Sequence, residues 1–76
     1  IKLKEDLEER LDRVIEERLD IVRMIDKNPY ALERTVLRLY YVSALPNWDV
    51  AEKIDTSVPT MYRILRKGKE RLAKIL

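Results

Sequence analysis

The sequence predicts an all-α protein: a long N-terminal amphipathic helix followed by a unit of three shorter helices. Three observations carry this. Apolar residues recur at helical spacing along the chain. One glycine and three prolines among many Glu, Lys, Arg and Leu favour helix over sheet. The periodicity is interrupted at Asn28-Pro29, at Leu45-Pro46-Asn47 and at Asp55-Thr56-Ser57, residue types that start or stop helices.

Residues 1 to about 26 read as one helix. Leu3, Leu7, Leu11, Val14, Ile15, Val22 and Ile25 fall on one side at about 100° per residue, with Leu19 and Ile21 widening the stripe. Asp6–Arg10 and Glu9–Arg13 are acid-before-base pairs four apart on its polar side. The stripe is wider than a 50-residue remainder covers easily. Two coverings are open: folding back over the remaining helices, or pairing with a second copy through residues 3–25. The second is preferred, because a small core leaves apolar surface uncovered. The apolar steps give no clean heptad for a long coiled coil.

The second helix is expected to begin with Asn28 as cap and Pro29 in its first turn, and to run to about Val42. Leu32, Val36, Leu37, Leu39 and Tyr40 form its buried side, with Arg34, Arg38 and Tyr41 elsewhere. Pro46 disfavours helix at Leu45 and ends the segment. A short third helix, about 48–54, follows Asn47 as cap. Trp48, Val50, Ala51 and Ile54 give it an apolar face, and Trp48 is placed to pack on Tyr40 or Tyr41. Small Ala51 permits a close crossing with the next helix. Ser57 caps the fourth helix, Pro59 sits in its first turn, and Val58, Met61, Ile64 and Leu65 resume the stripe. Gly68 either interrupts this helix or lets it continue through Leu72 to Leu76, at a cost of about 1 kcal/mol. The division is therefore a helix over 1–27 for packing or dimerisation, and a unit over 28–76.

With 76 residues the chain is one small domain. It has no cysteine and no histidine, so disulfides, thiolate metal sites and the commonest general base are absent. No metal site or cofactor is expected, and an enzyme is disfavoured: there is no phosphate-binding Gly-rich loop. Glu8/Asp12 and Glu16/Asp20, acid pairs four apart on an Arg-rich helix, read as solvated surface. No apolar run reaches the ~20 residues of a membrane span and no signal peptide is visible, so a soluble cytoplasmic protein is expected. Isoleucine at position 1 implies a natural start upstream.

The net charge is only +2, but it is unevenly placed. Residues 1–30 hold seven Lys/Arg and nine Asp/Glu, net −2; residues 31–57 hold three and four, net −1; residues 58–76 hold six and one, net +5. A cationic helix on a near-neutral body points to an anionic partner, nucleic acid first. Two short helices joined by a tight turn, the second basic outside, is the layout of a DNA-binding helix-turn-helix.

From Glu33 onward, 44 of the 76 residues, the chain resembles region 4 of sigma factors of the sigma-70 family. The carrying strings are ERTVLRLYY, NWDVAEKI and SVPTMYRILRKGKERL. Val50-Ala51 stands at the family's Ile-Ala position, Ser57 at the cap, Met61 and Ile64 at buried recognition-helix positions, and Leu72 at the closing leucine. Residues 1–30 do not resemble a sigma factor. A short chain with this N-terminal helix looks like the small phage-encoded transcriptional regulators of Gram-positive bacteria, which implies control of phage genes in a bacterial host cell. The recognition helix starts Val58-Pro59, where sigma factors carry polar or charged residues, so readout by these two positions does not follow.

The expected function is sequence-specific binding of double-stranded DNA, with the helix over 58–67 in the major groove. Arg63 is the best candidate for a base edge, with a phosphate contact the competing role. Thr60 and Tyr62 are candidates for a base methyl or a phosphate. Thr56 and Ser57 lie at a helix N-terminus, which favours phosphate. Arg66, Lys67, Lys69, Arg71 and Lys74 are backbone binders or plain solubility charges, and Arg38 reaches for flanking backbone. The alternatives are a protein-interaction module that binds RNA polymerase or another regulator, and the DNA-recognition subunit of phage packaging.

Overall fold

A straight helix over residues 1–26 would be about 39 Å long, whereas the molecule measures 31 × 29 × 20 Å. The computed structural model describes the backbone of residues 2–75 and the side chains of residues 9–75. In it the expected helix is two, α1 (Lys2–Glu17) and α2 (Ile21–Asp26). No glycine or proline marks the bend at 18–20. Core geometry explains it. Ile15 and Met24 are nine residues apart, so on a straight helix they would face opposite ways, about 180° apart. The bend brings both into one cluster with Leu72, and Ile25 enters the main core. Arg18 closes the corner on Asp20 with a bidentate pair at 2.9 and 3.0 Å, which also holds the Asp20 carboxyl below its ordinary range.

Leu19, expected in the stripe, sits in the bend at full exposure, and Val14 and Val22 stay nearly half exposed. The expectations for Leu3, Leu7, Asp6, Glu8 and Leu76 concern side chains outside the described residues.

Helix α3 (Ala31–Leu37) begins later than expected. Asn28 is buried and makes a turn instead of a cap: its Oδ1 accepts from Tyr30 N at 2.8 Å, and its Nδ2 donates to Glu33 Oε1 at 2.9 Å. Arg34 donates to the Asn28 carbonyl at 2.7 Å. The helix continues as a π-helical stretch, Arg38–Val42, in which Ser43 N donates to Arg38 O at 3.0 Å. This wider turn sets Tyr40 and Tyr41 edge to face, centroids 4.8 Å apart. Tyr41, expected away from the core, is half-buried against it, whereas Leu32, expected inside, is half exposed.

Helix α4 (Asn47–Lys53) starts after Pro46, so Asn47 is its first residue and not its cap. Its Val50 and Ala51 are buried, but Trp48, expected against Tyr40 or Tyr41, is exposed and forms no aromatic pair with either among the described residues. A four-residue connection leads to α5 (Val58–Ile75). Asp55 takes the left-handed conformation there, φ 55°, and Thr56 N reaches back to Ala51 O at 3.0 Å. Ser57 is the expected cap: Thr60 N donates to its Oγ at 3.4 Å and Met61 N to its carbonyl at 2.9 Å.

Val36, Leu37, Val50, Ala51, Met61 and Leu65 close the core at no more than 3% exposure. Full burial of the valine, leucine and methionine side chains among them favours folding by roughly 1.5–3 kcal/mol each. Gly68 does not interrupt α5. A Cβ there would lie 3.1 Å from Leu37 Cγ and Cδ1, so the glycine lets α5 lie closer on α3 than any larger residue allows. Residues from both predicted segments, 1–27 and 28–76, contribute to the two apolar clusters.

Candidate nucleic-acid interface

Met61, Leu65, Gly68 and Leu72 mark the buried side of α5. The six Lys/Arg of this helix divide by their angle to that side. Arg63, Arg66 and Lys67 point outward and are exposed. None of the ion pairs or side-chain hydrogen bonds among the described residues engages them. With Pro59 and Tyr62 they line one shallow depression on the outer face. Thr60 is half-buried at the start of that face and takes a hydrogen bond from Ser57 Oγ at 3.0 Å. Thr56 lies half-buried in the connection and Ser57 is exposed.

Lys69 and Arg71 behave differently. Lys69 Nζ is 2.9 Å from Asp12 Oδ1 on α1, with only 14% of its side chain exposed. It also lies 5.0 Å from the Tyr40 ring centroid, within cation–π range. The same Asp12 oxygen accepts from the Tyr41 hydroxyl at 2.5 Å. Burial first, and this bond second, push the Tyr41 phenol well above its ordinary pKa. Arg71 Nε donates to Glu33 Oε1 at 2.9 Å, and its guanidinium stacks 4.1 Å from the Tyr30 centroid. Glu33 is buried, so Arg71 and Asn28 together satisfy a carboxylate removed from water. These two cations, read from the sequence as backbone binders or plain solubility charges, are each paired with an acid of another helix. Lys74 is exposed near the end of α5. Arg38 is exposed and paired with Asp26.

Tyr62 is exposed, and its hydroxyl accepts from Asn47 Nδ2 on α4. Asn47, Asp12 and Glu33 are the residues that sequence reasoning missed. A partial signal existed. At 100° per residue, Lys69 and Arg71 lie roughly 70° and 90° from the centre of the buried arc, against roughly 130–170° for Arg63, Arg66 and Lys67. Cations flanking a buried arc are the ones a neighbouring helix reaches.

The described residues contain no group of His, Cys, Asp or Glu placed to hold a metal ion. No helix among them is long and apolar enough to cross a membrane. No curated protein and no solved structure matches the chain. A family model does, over residues 1–73, and its description is "Protein of unknown function (DUF1492)". The all-α chain, from the start of α1 into the last turn of α5, thus belongs to the DUF1492 family.

Proposed function

We propose that this protein is a sequence-specific DNA-binding transcriptional regulator. In this reading α4, the connection 54–57 and α5 act as a helix-turn-helix of the sigma region 4 type, and the outer face of α5 lies in the major groove, with residues 58–67 entering first. The observation that carries it is the division of charge on α5: Arg63, Arg66 and Lys67 stay outward and uncommitted, while Lys69 and Arg71 are used to brace the helix. A groove-reading helix needs both, a free cationic face and a rigid mount.

Arg63 takes the base edge, since its guanidinium can grip guanine bidentately, and Arg66 and Lys67 take phosphates. Thr56, Ser57 and Thr60 supply polar groups at the entry of the helix. Tyr62, tied to Asn47, holds α4 and α5 in register on the DNA side. The resemblance to small phage regulators supports a phage or prophage gene product acting in the bacterial cytoplasm. The exposed Val14 and Val22 support self-association through α1 and α2. A protein-binding role has one observation of its own. Tyr30, Leu32 and Ile64 form a mostly apolar depression beside Arg63 and Lys67, a place where RNA polymerase or another regulator would contact this face.

Duplex titrations at several salt concentrations separate the readings. DNA binding requires affinity that falls steeply with salt, and a pure protein-interaction module lacks it. Arg63→Ala then tests the base contact. Affinity for the preferred site is expected to fall by about tenfold or more, with weaker discrimination against mismatched sites. An unchanged ratio between matched and mismatched duplexes would remove Arg63 from base readout.

A further inference from the structure

We infer that Glu70 is a specificity-determining residue of the same surface, an acceptor for the exocyclic amine of a cytosine in the major groove. The inference rests on the DNA-binding reading above. Glu70 is the only acid in residues 58–76. The sequence Lys69-Glu70-Arg71 sends its two cations inward, to Asp12 and Glu33, and leaves its one anion outward and exposed. Glu70 lines the same shallow depression as Arg63, Arg66 and Lys67. None of the ion pairs among the described residues includes it. The outer face of α5 therefore changes sign along its length: positive from 63 to 67, negative at 70, positive again at 74.

A carboxylate at this place repels phosphate. It costs affinity for any duplex unless a donor meets it. The major groove offers such donors on cytosine N4 and adenine N6. Adenine carries the N7 acceptor beside its amine, which a carboxylate also opposes, so cytosine is the better match. Seven residues separate Arg63 from Glu70, about 10 Å along the helix, which is the rise of about three base pairs. Glu70 thus lowers binding to unmatched DNA and reads one base pair about three steps from the one that Arg63 reads.

The test is selection of binding sites from a random duplex library with the full chain and with Glu70→Ala, Glu70→Gln and Glu70→Asp. Thermal melts confirm that each variant is folded, as a change at an exposed position should allow. The wild type should enrich cytosine at one position. Glu70→Ala should lose that preference alone and bind random duplex several-fold more tightly at low salt. Glu70→Gln should turn the preference toward adenine, whose N6 and N7 suit an amide. Glu70→Asp should keep the weak binding to random duplex but blur the base preference. If all variants enrich the wild-type sequence, or if only the affinity for random duplex changes, the base-reading role of Glu70 is overturned. If the wild type enriches nothing, the DNA-binding reading falls with it.

Discussion

The two halves of α5 use the same residue types for opposite purposes. Up to Lys67 the cations are exposed and unpaired among the described residues; beyond Gly68, Glu70 and Lys74 stay outward, but Lys69 and Arg71 reach across to α1 and α3 and hold them. Charge counting treats both halves as one basic rod. What separates them is the angle of each residue to the buried arc and the acid that happens to face it. Asp12 and Glu33 lie far from α5 in sequence, yet each accepts one of its cations. A basic helix is therefore only partly a ligand surface, and the fraction spent on the fold has to be subtracted first.

The largest effect is expected at Arg71. Arg71→Ala removes the guanidinium from a buried carboxylate and leaves Glu33 with Asn28 alone. We expect a loss of about 2 kcal/mol in denaturant-measured stability, against less than about 0.5 kcal/mol for Arg66→Ala. Equal losses would mean that the two halves do not differ. Gly68→Ala sharpens the mounting of α5. The gain in helix propensity, about 1 kcal/mol, is outweighed because the whole Leu37 side chain must shift in a filled core, for a net loss of about 1 kcal/mol in the same unfolding assay.

A smaller effect of opposite sign is expected at Ala44, which holds φ 53° in the connection before α4. Ala44→Gly relieves a left-handed alanine and should raise stability by about 0.5–1 kcal/mol, read as a higher melting temperature. The smallest effect is alkaline. The folded Tyr41 phenol has a raised pKa, while its unfolded counterpart ionises near 10.0. The stability it contributes is thus complete below pH 10 and is lost as the pH rises above it. Stability measured from pH 8 to 11 should fall only at the alkaline end, and Tyr41→Phe should make that fall shallower.

Much of the fold was legible. The all-α class, the break near 28–30, the short helix over 47–53, the cap at Ser57 and the buried Met61 and Leu65 follow from spacing and from residues with strong local preferences. The misses share a cause. The bend at 18–20 has no local breaker and exists because Ile15 and Met24 must meet Leu72. Trp48 is apolar by type and exposed by position. The π-helical stretch and the left-handed Ala44 and Asp55 are set by how helices are joined, which no residue announces. At the candidate site the outward trio was legible from its angle on the helix. The commitment of Lys69 and Arg71 was legible only in part, from angles that flank the buried arc, because their partners are acids 57 and 38 residues away along the chain.

The salt dependence of duplex binding, measured as the slope of log affinity against log salt, tests the division of α5 most directly. Each phosphate contact removed should lower that slope by about one. Arg66→Gln and Lys67→Gln are expected to do so, while Lys69→Gln and Arg71→Gln, measured at a temperature where they remain folded, leave the slope as in the wild type. A flat slope in the wild type, or an equal reduction in all four variants, would contradict the division of its cations into an outward, reading set and an inward, bracing set.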